Sequence, residues 1–135
     1  MSRILYISVI AVSLFVFACE EEVSDRFRFL TTPVWASDSL LAEGTDASDP
    51  GGILYKFKGD AKFNEDGTGV FGAYTGTWKL VYDETLINIT SDSLTYPLTA
   101  NIEELTAVSL KITTSYPNKT EPENPLDIRM TFKAK

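Results

Sequence analysis

The 135-residue chain contains no histidine and a single cysteine. Without histidine there is no Ser–His–Asp triad, no Cys–His nucleophile pair and no ordinary zinc site, and one cysteine cannot build a disulfide framework. Glycine and proline are too few, at 8 and 6, for a low-complexity chain. Positive charge is also scarce: 12 Lys and Arg stand against 19 Asp and Glu, a formal charge of −7. That balance argues against nucleic acid as a partner, since phosphate recognition needs a basic patch. What is present is apolar. With 44% hydrophobic and 12% aromatic residues the chain has enough to bury, and its length suits one domain.

The longest apolar run lies at the start. Arg3 precedes a nearly unbroken stretch from Ile4 to Phe17, ending in Ala18-Cys19. A positive start, a short apolar core and a small residue before a cut are the layout of a secretory signal. The stretch is shorter than the roughly 20 residues that cross a bilayer as a helix. Cleavage after Ala18 is therefore predicted: residues 1–18 are the signal peptide, 19–26 an acidic tether and 27–135 the folded domain. Losing Arg3 with the leader makes the mature chain more acidic by one charge.

Val16-Phe17-Ala18-Cys19 resembles the lipobox of bacterial lipoproteins, with an aliphatic residue at −3 and a small one at −1; Phe17 at −2 departs from the pattern by its bulk. The resemblance implies lipidation of Cys19 and a stable membrane anchor of several acyl chains. Glu20-Glu21-Glu22 then reads as a solvated spacer. It also resembles the acidic export signal of surface lipoproteins in Bacteroidetes-type bacteria. The expected location is the outer membrane, with the periplasmic face and the cell surface both open.

From Phe27 onward the apolar residues alternate with polar ones, the period of half-buried strands. Trp78, Leu80 and Tyr82 form one apolar set; Val108, Leu110 and Ile112 another; Ile128, Met130 and Phe132 a third; Tyr55 and Phe57 a fourth. Strands are predicted near 28–36, 53–63, 68–74, 76–82, 85–90, 94–99, 107–114 and 127–133. Asp66-Gly67 suits a two-residue type I′ hairpin, which sets Phe63 opposite Val70. A turn at Asp83-Glu84 sets Leu80 opposite Ile87 and Trp78 opposite Ile89. Leu40-Leu41-Ala42 either extends the first strand or makes a short helical turn, and breaks are expected at 101–104 and 116–125. The fold class is all-β: about eight closely spaced strands, the signature of an antiparallel barrel or sandwich.

The ordered motifs Phe63-Asn64-Glu65-Asp66-Gly67, Gly76-Thr77-Trp78, Leu86-Ile87-Asn88-Ile89 and Ile102-Glu103-Glu104-Leu105-Thr106, with Trp35 upstream, carry a family resemblance. Over roughly 30–133 the chain is similar to the small lipocalin-like lipoprotein domains of Bacteroidetes-type bacteria. The resemblance implies a lipid-anchored up-and-down barrel and supplies no catalytic residues and no cofactor.

An eight-stranded barrel either fills with side chains or holds one small ligand. The candidate pocket residues are Trp35, Tyr55, Phe57, Phe63, Tyr74, Trp78, Tyr82, Tyr96, Met130 and Phe132. A domain this small needs most of them for its core, which favours a largely filled interior; the abundance of aromatics, with tyrosine hydroxyls to orient a guest, favours a ligand. The expected function is non-enzymatic binding of a small apolar or amphiphilic molecule, with a structural or protein-interaction lipoprotein as the alternative; a carbohydrate-binding sandwich is a remote third. Asn64-Glu65-Asp66-Gly67 lacks the first and last ligands of a calcium loop, having Lys62 and Ala73 there, so no metal is expected. Glu103-Glu104 and Glu121 with Glu123 read as solvated loop charge. Asp38-Ser39-Leu40 and Asp92-Ser93-Leu94 resemble Bacteroidetes-type O-glycosylation sites, making Ser39 and Ser93 candidate acceptors near loops. The Asn88 and Asn118 sequons carry little meaning in such a bacterium, and Asn88 is expected within a strand.

Overall fold

A computed structural model describes residues 23–135. The chain starts with helix α1 (Asp25–Thr31), then runs through β1 (Trp35–Ala42), β2 (Thr45–Asp46), a 3-10 turn (Tyr55–Phe57), β3 (Asp60–Phe63), β4 (Thr68–Phe71) and β5 (Tyr74–Val81). It continues with β6 (Leu86–Thr90), β7 (Leu98–Leu105), β8 (Ser109–Tyr116) and β9 (Leu126–Ala134). The strands form one antiparallel sheet in the order β2-β1-β3-β4-β5-β6-β7-β8-β9, and β1 pairs again with β9. Eight strands thus close into a lipocalin-like barrel, and β2 is an extra strand on β1. The alternation read from sequence produces this closure: Ile128, Met130 and Phe132 of β9 point inward and are buried, as do Leu110 and Ile112 of β8.

The first element departs from the expected strand at 28–36. Arg26-Phe27-Arg28-Phe29 alternates like a strand, yet the segment is helical, and Asp25 and Arg26 belong to it. Ser24 caps it, its hydroxyl accepting from the Phe27 amide at 3.1 Å, and Asp25 in the first turn suits the helix dipole. Phe27, Leu30 and Thr31 share one face, and that face decides the outcome because it can be buried: Leu30 and Thr31 are buried, and Phe27 packs on Trp78 at 5.6 Å. β1 begins only at Trp35 and takes in Leu40-Leu41-Ala42, so the strand alternative is the one observed.

Three further boundaries shift. The segment 53–63 is a 3-10 turn followed by a short strand: Leu54 and Phe57, three apart, share the buried side, and Tyr55 faces solvent. The strand expected at 94–99 is β7, starting at Leu98 and running through the expected break at 101–104, with its irregularity between Ile102 and Glu104. Glu103 and Glu104 therefore lie on a strand, where Thr113 donates to Glu103 at 2.8 Å and Ser109 to Glu104 at 2.5 Å. β8 extends to Tyr116.

The two hairpins diverge. Trp78 pairs with Ile89 and Leu80 with Ile87, as expected. At Asp66-Gly67 the loop is one residue longer: Gly67 N donates to the Asn64 carbonyl, Asn64 N to the Thr68 carbonyl, and Gly67 takes φ +90°. This is a three-residue loop ending in a left-handed glycine, and it pairs Phe63 with Gly69 rather than Val70. The shift turns Val70 outward and brings Phe71 inside, its ring 5.2 Å from that of Phe63.

Candidate functional site

The barrel has two unlike ends. At one, α1 lies across the opening near the turns 64–67 and 82–85 and the β7–β8 loop. The Trp35 indole donates to the Leu30 carbonyl at 3.0 Å, and Lys62 Nζ donates to the Thr31 carbonyl. The Trp78 indole N–H is shared between the Asn64 and Thr68 carbonyls, 3.0 Å each, so the same tryptophan closes the 64–67 loop and supports Phe27. The opposite end is framed by the 3-10 turn and the loops 91–97 and 117–125.

Between them the interior is filled. Trp35, Phe57, Phe63, Tyr74, Trp78, Met130 and Phe132 are all buried in one core with Phe71, Ile87, Ile89, Leu110 and Ile112. Phe63 meets Trp78 edge-on at 5.6 Å, and Phe57 tilts against Tyr74 at 4.8 Å. The central void, among Phe57, Phe63, Ile112, Met130 and Phe132, measures about 10 Å³. That is room for no more than one water.

Three of the ten candidate pocket residues face solvent instead: Tyr55 is 48% exposed, Tyr96 62% and Tyr82 78%. Tyr55 leaves the interior because the 3-10 turn replaces the strand. Tyr82 does so because it, Asp83 and Glu84 all have positive φ, 50°, 54° and 63°, which ends the alternation of β5 one residue early. Tyr96 sits on the 91–97 loop at the open end.

That end holds a recess of about 200 Å³ lined by Leu54, Phe57, Leu94, Tyr96, Pro97, Leu98, Tyr116, Pro117 and Met130 among others. It brings together only Phe57, Tyr96 and Met130 of the residues expected from sequence. Tyr116 was missed, although the inward alternation Leu110, Ile112, Thr114 extends to it. Tyr74, near the same end, has its phenol pKa raised by burial and secondarily by Tyr116. A larger hollow of about 740 Å³ lies on the outer wall among Leu41, Thr99, Asn101, Thr113, Ser115 and Arg129. It is shallow and open, with no aromatic platform.

Ser39 is not in a loop: it lies on β1, half-buried, sharing a 2.8 Å hydrogen bond with Thr131. Ser93 is exposed in the turn after β6. Asn88 lies within β6, as expected. Cys19 and the signal peptide fall outside the described residues. Among the described residues no group of three or more Cys, Asp or Glu could hold a metal ion, and no helix is long and apolar enough to cross a membrane. A scan against protein-family models found no match, and a search of the curated proteins found none either.

Proposed function

We propose that the chain is a lipid-anchored, non-enzymatic protein of the bacterial cell envelope, of the lipocalin-like lipoprotein type it resembles, and that its filled barrel works as a structural or protein-interaction body. The observation that carries this reading is the packed interior, with a central void of about 10 Å³. Small-molecule pockets run to about 300–1,000 Å³. An occupant inside the barrel would have to displace Trp35, Phe63 or Met130, each buried among close neighbours. Anchoring is supported by the lipobox-like sequence ending at Cys19.

One observation favours a second reading. The apolar recess of about 200 Å³ at the open end fits the tip of an amphiphile, such as one aromatic ring or a short acyl end. Native mass spectrometry of the mature protein released gently from envelopes separates the two. A bare mass supports the filled body. A reproducible adduct that leaves on denaturation, and that is lost when Leu94→Glu charges the recess, overturns it in favour of a ligand at the mouth.

A further inference from the structure

The place where the chain leaves the barrel is fixed. Ser24 Oγ donates to the Glu84 carboxylate at 2.6 Å, and Arg26 Nε donates to the Glu84 carbonyl at 2.9 Å. Phe27 packs on Trp78 behind them. The N-terminal segment is therefore pinned to the 82–85 turn, at the end closed by α1. Between Cys19 and Val23 there are four peptide steps. Even fully extended they span at most ~14 Å.

That reach is shorter than the barrel. The walls β8 and β9, of 8 and 9 residues, rise ~20 Å along a barrel axis once strand tilt is allowed for. With acyl chains on Cys19 in the lipid, the α1 end is held near the headgroups and the open end cannot be turned to face them. Exposed apolar side chains occur at both ends, Tyr55 and Tyr96 at the open one, so the short tether decides the orientation and those of the α1 end are the ones it brings to the lipid. Tyr82 is 78% exposed, Val108 at the tip of the β7–β8 loop 67%, and Val23 54%. Three consecutive non-glycine residues with positive φ hold Tyr82 out of the core. The turn is held locally, Thr85 N and Oγ1 both donating to the Tyr82 carbonyl, so the ring of Tyr82 is kept at the surface.

We infer that Val23, Tyr82 and Val108 form a membrane-resting face, with Tyr82 in the headgroup layer and the open end pointing away from the lipid. Tyrosine suits that position because its ring is apolar and its hydroxyl stays wet. Asp83 and Glu84 share this end with Asp25, Arg26 and Arg28 of α1, so its charge is mixed and the surface it fits is a zwitterionic headgroup layer. The inference rests on the proposed acylation of Cys19.

Cys19 is the only cysteine, so an acylated chain offers no other thiol. The full acylated protein, as Val108→Cys and separately as Tyr96→Cys, is labelled with an environment-sensitive fluorophore. Each is placed in vesicles of phosphatidylcholine and phosphatidylethanolamine carrying headgroup nitroxides. The expected result is quenching several-fold stronger at 108 than at 96, abolished by detergent. Equal quenching at both positions, or stronger quenching at 96, overturns the orientation. Failure of the protein to enter vesicles, together with an intact mass lacking acyl chains, overturns the anchor itself and the inference with it.

Discussion

Ser24 Oγ lies 2.6 Å from Glu84 Oε2, joining the N-cap of α1 to a turn 60 residues later in the chain. The same hydroxyl accepts from the Phe27 amide. One side chain thus starts the helix and fastens it to the barrel. Ser24→Ala removes both roles, and a lost N-cap costs ~1 kcal/mol. The expected outcome is a lower melting temperature with faster amide exchange confined to α1, read by hydrogen-exchange mass spectrometry. Uniform exchange changes would show that α1 is not held this way.

Trp35 is fully buried, and its indole N–H is taken by the Leu30 carbonyl. Trp35→Phe keeps an aromatic ring but leaves that carbonyl without its donor, at about 1–3 kcal/mol, plus the volume lost. Denaturant unfolding checks the size of the effect. A change below ~0.5 kcal/mol would mean water replaces the indole without difficulty.

The turn at 82–85 carries strain that glycine would release. Asp83 has φ +54° in a conformation L-residues adopt at a cost. Asp83→Gly is expected to stabilise the protein by about 0.5–1 kcal/mol despite adding chain entropy to the unfolded state. A destabilised variant in thermal melts would show that the Asp83 side chain holds the turn in some other way.

Gly76 has the opposite requirement. A Cβ there would meet the Thr90 carbonyl oxygen at 1.9 Å, across the β5–β6 pairing. That contact is with backbone, so the strands must part. Gly76→Ala is expected to cost about 3 kcal/mol or more, measured by denaturant unfolding.

Stability should fall off at both ends of the pH scale. Hydrogen bonds from Ser48 lower the Asp46 pKa and those from Thr68 lower that of Asp66; Ser109, then Lys111, lowers that of Glu104. A carboxyl whose folded pKa is depressed adds stability above its unfolded value, near 3.8 for Asp and 4.5 for Glu, and loses it as pH drops through the folded value. Tyr74 behaves in the other sense. Burial, and then Tyr116, raises its phenol above 10.0, so its contribution is present below that pH and lost on going higher. Melting temperature against pH should plateau between these limits. Tyr74→Phe should blunt the alkaline fall, and an unchanged fall would assign it elsewhere.

The alternation of apolar residues in β5, β8 and β9 marks half-buried antiparallel strands, and with the turn at Asp83-Glu84 it sets the pairing of Trp78 with Ile89; closure into a barrel is decided by the pairing of β1 with β9. A period of two holds wherever one face of a strand is buried, so it is legible in a single chain. Helix α1 is not legible in this way. Two turns contain too few repeats to separate a helix from a strand, and only the docking of Leu30 and Phe27 at the barrel end selects between them. The outward turn of Tyr82 and the one-residue shift that pairs Phe63 with Gly69 depend on backbone angles within the turns, which composition does not set. Whether the barrel encloses a ligand is likewise undecidable from a count of aromatics. Void volume depends on how rings from opposed strands interlock, and only the closed fold brings Phe57, Phe63, Met130 and Phe132 around the same ~10 Å³.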